Sequence, residues 1–313
     1  MKLISFAYKK ITRLGHLTEK NRVVDFASAS HGQLPDNVMD FLRRGEYNRL
    51  LARKIAANEN LANLTLSKIK LLAPVPYPRS MRNGYSLRQH LELNGKAGGK
   101  LTAAEHENLP RFYFANHTTI TGPGEIHVLQ DHLEKLDFEM ECAAVIGKRG
   151  RNIKAENADQ HIAGFTIMND WTARGFQGKE VQYNLGYTKS KDFATSMGPI
   201  LLTRDELEMY RIPDKKGDRY DLEMICSVNG EQICTDNLRN MQSSFAEIIE
   251  RASYGVDLMP GDIIGSGTCG TGCFLELNMA SKAKERWLQD GDEVEISVKG
   301  LGTLTNKIIK SED

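Results

Sequence analysis

Leu136-Asp-Phe-Glu-Met-Glu-Cys-Ala-Ala-Val-Ile-Gly147 is the stretch on which the fold turns. Read with the period of two that a strand imposes, Leu136, Phe138, Met140, Cys142, Ala144 and Ile146 share one face. Asp137, Glu139, Glu141, Ala143 and Val145 share the other. Glu139 and Glu141 are therefore neighbours on one side, about 6.5–7 Å apart along the strand. A half-exposed strand with an acidic outer face is the plainer reading. Two details count against it. The carboxylate face turns apolar at Ala143 and Val145, which implies cover on both sides. Two like charges beside a covered surface also need a compensating cation, and a hard divalent ion with oxygen ligands supplies one.

Working outward, a third carboxylate stands in Gly164-Phe-Thr-Ile-Met-Asn-Asp170-Trp-Thr-Ala-Arg174-Gly-Phe-Gln177. The apolar run stops at Asn169-Asp170, so Asp170 sits where a strand gives way to a turn. Arg174 at i+4 and Gln177 at i+7 share its face if a helical turn begins there. Taken alone, a surface turn with a local Asp–Arg pair is the better account of this segment.

Strand-like runs separated by Gly, Pro and Asn recur at residues 69–75, 138–147, 162–169, 222–228, 262–265 and 293–298. Helical patterns fall at 84–93, 155–161 and 245–252, the last opened by Ser244-Phe-Ala-Glu247, a capping-box spacing. Regular βαβ alternation and internal repeats are missing. The expectation is an α+β chain, mostly β, with a larger domain over residues 71–313. Residues 1–70 read as a small α/β domain. It has short strands at 2–8 and 22–26 and a helical region opened by Leu34-Pro-Asp36 with Asp36 as cap. The helical pattern resumes after Gly45 at Tyr47, Leu50, Leu51 and Ile55. This unit carries no recognisable chemistry.

Acidic and basic residues balance at 41 each, so no net field recruits nucleic acid or an anionic membrane; a local pocket must hold a small molecule instead. Cys142, Cys226, Cys234, Cys269 and Cys273 form an odd set without CxxC spacing, which fits a reducing compartment. Cys269 and Cys273 would be a zinc half-site without partners, and read better as small buried residues. The N-terminus has no long apolar stretch with a cleavage site, and no segment reaches the ~18–20 apolar residues of a membrane span. A cytoplasmic protein is expected.

Seven tracts, in order from about Leu71 onward, resemble the fumarylacetoacetate hydrolase family. They are Leu72-Ala-Pro-Val-Pro-Tyr-Pro-Arg79, Tyr85-Ser-Leu-Arg-Gln-His90, Phe112-Tyr-Phe114 with Gly122-Pro-Gly124, and Phe138-Glu-Met-Glu141 with Val145-Ile-Gly-Lys148. The series continues through residues 164–177, Lys191-Asp-Phe-Ala-Thr195 with Gly198-Pro199, and Met259-Pro-Gly-Asp262 followed by Gly265-Ser-Gly-Thr268 and Leu275-Glu-Leu277. The resemblance implies a rolled mixed β-sandwich with a small N-terminal domain, usually a homodimer. It makes Glu139, Glu141 and Asp170 ligands for Mg²⁺, Mn²⁺ or Ca²⁺. It makes His90 the general base and Glu276 the carboxylate that orients it. Lys191, Arg174 and Gln177 would hold substrate oxygens and the leaving enolate, with Tyr85 and Thr268 as substrate contacts. Fumarylacetoacetases proper carry an aspartate ligand where this chain has Asn83, so a neutral carbonyl oxygen would complete the metal site here. Acylpyruvase-like members place a glutamate three residues after the histidine, where this chain has Leu93, with Glu92 one place earlier. Gly175 replaces a frequent Asp.

The implied chemistry is hydrolysis of a carbon–carbon bond in a β-diketo acid of the fumarylacetoacetate or acylpyruvate type. Metal and Lys191 would receive the enolate charge, and His90, with an unperturbed pKa of ~6.5, would activate water. Two alternatives stand: decarboxylation, hydration or isomerisation of a 2-keto acid at the same site, and a decayed metal- and ligand-binding relative. Residue by residue, plainer readings also exist. Glu276 between Leu275 and Leu277 would be an exposed strand position, Lys191 part of a solvated basic loop, and His117, His127 and His132 solvent-facing. Gly265-Ser-Gly-Thr-Cys-Gly-Thr-Gly272 resembles a phosphate cradle but lacks a following GK[ST], and reads better as a turn shaping a pocket.

Overall fold

The computed structural model describes residues 1–86, 109–183, 186–281 and 284–312. Met140–Ile146 is buried along its whole length and lies inside a twelve-stranded sheet. It pairs antiparallel with Ile162–Asn169 on one side and Ile263–Gly265 on the other. Beyond Ile162–Asn169 the sheet continues through Thr195–Thr203 to Lys2–Tyr8. Beyond Ile263–Gly265 it continues through the parallel strand Met81–Gly84 to Phe112–Ala115.

The two faces read from the sequence meet two different cores. Met140, Cys142, Ala144 and Ile146 join Phe165, Ile167, Ile296 and Leu304. The last two belong to a five-stranded sheet that includes Glu293–Val298 and Gly302–Lys310. Ala143 and Val145 join Leu3, Leu14, Phe26, Val38 and Phe41 from the first seventy residues. Those residues enter the large sheet through the pairs Lys2↔Leu202 and Leu3↔Leu201. A strand covered on both sides has no wet face, so any charge on it must be satisfied inside the protein. The architecture is a mixed α+β fold, mostly strands, with two stacked sheets and helices over the outer face.

Local signals worked where they were chemically complete. Phe245–Ala252 starts at Ser244, and both capping-box bonds form with Glu247. The helix Val38–Arg43 is capped one residue later than expected, by Asn37, because its Oδ1 reaches the Asp40 N–H at 2.9 Å. Glu46–Ala56 follows a break at Gly45, which has φ 57°. The strand expected over residues 69–75 shrinks to Lys70–Leu71, since Pro74 and Pro76 have no N–H to pair. The strand Ile11–Leu17 was not anticipated; only Leu14 and Gly15 are buried in it, too little to impose a pattern. Gly84 ends a strand rather than starting a helix, and most of the helix expected over 84–93 lies outside the described residues. Among the described residues no helix is long and apolar enough to cross a membrane.

Candidate functional site

The register of adjacent strands builds the site at one end of the sheet. Met140 pairs with Asn169, and the Glu139 N–H donates to Asn169 Oδ1 at 2.9 Å. Glu139 and Glu141 thereby meet Asp170, the residue after the strand Ile162–Asn169. Among the described residues, these three are the one group of acidic, histidine or cysteine side chains able to share an ion. One oxygen from each lies within 4.8 Å of the others, and all three residues are buried.

Two cations hold the group together. Lys191 Nζ lies 2.6 Å from Glu139 Oε2, 2.8 Å from Asp170 Oδ2 and 2.8 Å from Thr172 Oγ1. Burial alone would lower its pKa, but Asp170 and Glu139 outweigh burial and raise it above the ordinary lysine value. Lys191 is therefore a buried centre residue and not part of a solvated loop. Arg174 does not pair with Asp170. The helix starts at Arg174 itself, after the short strand Thr172–Ala173, and this turns the guanidinium toward Asp137. Its Nε donates to Asp137 Oδ2 at 2.8 Å and its Nη1 to Gln177 Oε1 at 2.9 Å. Nη2 makes ion pairs with Asp137 at 2.8 Å and Glu139 at 2.9 Å, without the alignment of a hydrogen bond. Asp137 also accepts the Phe274 and Leu275 N–H groups, the free donors at the start of the helix Phe274–Ala280.

Asn83 lies against two of the three carboxylates. Its Nδ2 donates to Glu141 Oε1 and Asp170 Oδ2, each at 3.0 Å, and its Oδ1 accepts the Gly267 N–H at 3.2 Å. The amide nitrogen thus faces the two acids, and in this arrangement Asn83 braces them. The Tyr113 hydroxyl donates to the same Asp170 oxygen. Burial and the surrounding carboxylates push that phenol well above its usual pKa, which keeps it a donor.

These donors leave two buried oxygens, Glu141 Oε2 and Asp170 Oδ1, with no hydrogen-bond partner. Burial, then Asp170 and Glu139, push the Glu141 pKa well above the carboxylate range; burial is also the first cause of the upward shift at Asp170. Unpartnered buried carboxylate oxygens are costly. A hard donor set of three carboxylates with two orphaned oxygens fits a divalent cation.

Gly265 is in register with Asn83, and a Cβ there would sit 2.2 Å from Asn83 Oδ1 and 2.5 Å from Met168 Cε. Gly265→Ala is expected to push Asn83 off the carboxylates, lowering Mn²⁺ affinity about tenfold and stability by about 1–3 kcal/mol. Calorimetric titration with Mn²⁺ and urea unfolding check this; unchanged Mn²⁺ affinity would remove the brace.

The carboxylates open into a cavity of about 470 Å³ whose wall includes Tyr85, Gln177, Lys191, Thr268 and Glu276. Thr268 Oγ1 is 3.4 Å from Glu141 Oε1. Glu276 is on the helix Phe274–Ala280 and not on a strand. It is 4% exposed and accepts the Thr271 N–H at 2.6 Å. The Gly-rich run spends its N–H groups on the protein. Ser266 donates to Cys142 O, Cys269 to Met140 O and Gly272 to Cys269 O, Gly267 to Asn83 and Gly270 to Asp236. With most of its donors committed to the protein, the run acts as a pocket-shaping turn. Cys269 and Cys273 are buried free thiols. His132, expected in solvent, is 8% exposed and stacks on Phe193 with ring centroids 4.3 Å apart. His90 lies outside the described residues.

Sequence reading missed Asp137, Tyr113 and Tyr187. Asp137 was visible on the same strand face as Glu139, but the side chain that neutralises it stands 37 residues away. Tyr113 lay inside a quoted tract without a signal of its own. Tyr187 meets Tyr113 edge-on at 5.2 Å and follows no motif.

Residues 80–309 match the family described as fumarylacetoacetate (FAA) hydrolase, C-terminal. The chain is 32% identical over 293 residues to the bovine mitochondrial protein named oxaloacetate tautomerase FAHD2A, spanning 92% of this chain and 84% of that one. It is 31% identical over 314 residues to oxaloacetate tautomerase YisK of Bacillus subtilis, spanning 94% and 95%. Among solved structures, a fumarylacetoacetate hydrolase from Exiguobacterium antarcticum shares the fold with TM-score 0.76 and 24% identity, covering 99% of this chain and 100% of that one. Maleylpyruvate hydrolase from Sphingobium sp. SYK-6, solved with manganese(II) and pyruvate, shares it with TM-score 0.71 and 22% identity over the whole of both chains.

Proposed function

The chain belongs to the fumarylacetoacetate hydrolase family, and from that membership we propose a divalent-metal-dependent enzyme that moves a proton on the carbon beside the ketone of a 2-oxo dicarboxylic acid. Oxaloacetate is the first substrate to test, given the relatives named for its tautomerisation. The observation that carries the reading is the pair of unpartnered buried oxygens on Glu141 and Asp170 beside Lys191 Nζ.

Glu139, Glu141 and Asp170 would hold Mg²⁺ or Mn²⁺, which supplies Lewis-acid polarisation of the substrate's oxygens when bound. Lys191 sets a positive charge where the oxygen of the enol form gains electron density. Arg174 keeps Glu139 and Asp137 in place. Gln177, Tyr85 and Thr268 meet the substrate's polar ends from the cavity wall. His90, the base implied by the family resemblance, takes and returns the carbon-bound proton, and Glu276 orients it. The buried free cysteines suit a reducing compartment such as the cytoplasm.

Glu276 supports a second reading as well, hydrolysis of a β-diketo acid. A buried carboxylate on the cavity wall is what a histidine needs if it is to activate water, the same orienting role it has in proton transfer at carbon. One experiment separates the two. Enol-rich oxaloacetate should lose its enol absorbance faster with protein and Mn²⁺, and EDTA should remove that acceleration. Acetylpyruvate should yield free acetate only if the hydrolytic reading holds. Absence of both activities at saturating Mn²⁺ would end both and leave a protein that only binds.

A further inference from the structure

Glu180 is the last residue of the helix Arg174–Glu180, whose first turn carries Arg174 and Gln177. Its carboxylate collects donors from two residues further along the chain. Thr188 donates its N–H at 3.0 Å and its hydroxyl at 2.5 Å. Ser190 donates its N–H at 3.3 Å and its hydroxyl at 2.6 Å. These bonds hold the carboxyl at a pKa of about 2, although its partial burial acts in the opposite sense. Ser190 is fully buried, and its carbonyl accepts the Ala173 N–H at 2.9 Å. The next residue is Lys191. On the other side of Thr188 stands Tyr187, which lines the cavity and places its ring 5.6 Å from Lys191 Nζ.

We propose that Glu180 is a positioning residue, whose carboxylate staples residues 187–191 onto the end of the Arg174–Glu180 helix and so sets where Tyr187 and Lys191 stand over the cavity. An exposed ion pair would do little of this, because solvent screens it and side-chain entropy opposes it. Here a single charged acceptor takes two hydroxyls and two backbone N–H groups, charge-assisted bonds with defined directions. Without them the segment keeps the Ser190–Ala173 bond but loses the link between Tyr187 and the helix. The inference rests on reading the cavity as a 2-oxo-acid site.

The test uses the whole protein, Mn²⁺ and oxalate, a planar dianion that presents two adjacent oxygens as a 2-oxo acid does. In Glu180→Ala, oxalate affinity of the Mn²⁺-loaded protein should fall about tenfold, while Mn²⁺ binding measured alone is no weaker, since the variant removes no carboxylate of the site and displacing Lys191, a cation that competes for Glu139 and Asp170, does not weaken their hold on a metal. Glu180→Gln keeps one carbonyl acceptor and should restore part of the loss. Oxalate affinity within twofold of the parent would overturn the staple. So would Mn²⁺ affinity falling in step with oxalate, which would mean a general loosening of the fold. If Glu180→Ala does not fold, Thr188→Val with Ser190→Ala removes only the two hydroxyl donors and should cost about threefold in oxalate affinity; no loss there overturns the proposal equally. Failure of the unaltered protein to bind Mn²⁺ or oxalate would instead reject the proposed function, an outcome distinct from indifference of the variants.

Discussion

Glu141→Ala is expected to weaken Mn²⁺ binding at least about a hundredfold, roughly 2.8 kcal/mol at 1.4 per factor of ten, and to remove metal-dependent turnover. Glu141 has no exposed surface; one of its oxygens is held by Asn83 and the other has no partner. Its loss deletes a ligand that no neighbour can replace. The same change removes a carboxylate whose pKa is raised first by burial and then by its neighbours Asp170 and Glu139. The space left joins the existing cavity, so water can fill it and the usual cost of a void is largely avoided. The metal-free variant should therefore be at least as stable as the parent. Binding of Mn²⁺ with parental affinity would remove the metal assignment, and a variant that unfolds would show that Glu141 is structural.

Arg174→Ala should be the most destabilising single change in the site, costing about 3–5 kcal/mol in urea unfolding. Arg174 is 8% exposed and Asp137 0%. Removing the guanidinium strands Asp137 as a buried charge held only by backbone N–H groups, and frees Glu139 from one of its two cations. Arg174→Lys should recover only part of this, because an ammonium cannot span Asp137, Glu139 and Gln177 together. Removing both partners in Arg174→Met with Asp137→Leu should be less costly than Arg174→Ala, since no unpaired charge remains. A loss below about 1 kcal/mol in Arg174→Ala would mean the guanidinium is not committed to the protein, and it would then be available to a substrate, as the family resemblance first implied.

Much of the fold was legible where the determining interactions are local. The strand 162–169 and the helix 245–252 were found at their observed bounds. The former is a continuous apolar run, and the latter carries its own capping box. The alternation of the 136–147 stretch predicted both a covered carboxylate face and the turn to apolar at Ala143, and the two separate cores bear this out. The plainer alternative for Glu276, an exposed strand position suggested by the strand-like alternation of Leu275-Glu-Leu277, fails because the residue is buried on a helix. The helix there depends on Asp137, 137 residues from the first amide it accepts, and nothing in the local pattern carries that.

The sequence by itself determined that Glu139 and Glu141 share a covered face and that Asp170 closes a buried strand. Periodicity is a property of neighbouring residues and needs no knowledge of the rest of the chain. Only the tertiary structure decided which charges answer those carboxylates. Lys191 sits between Glu139 and Asp170, Arg174 is locked by Asp137, and Asn83 turns its amide nitrogen and not its oxygen toward the acids. Those choices are settled by strand register across the sheet, where a pairing such as Gly265 opposite Asn83 brings together residues that no stretch of sequence holds side by side.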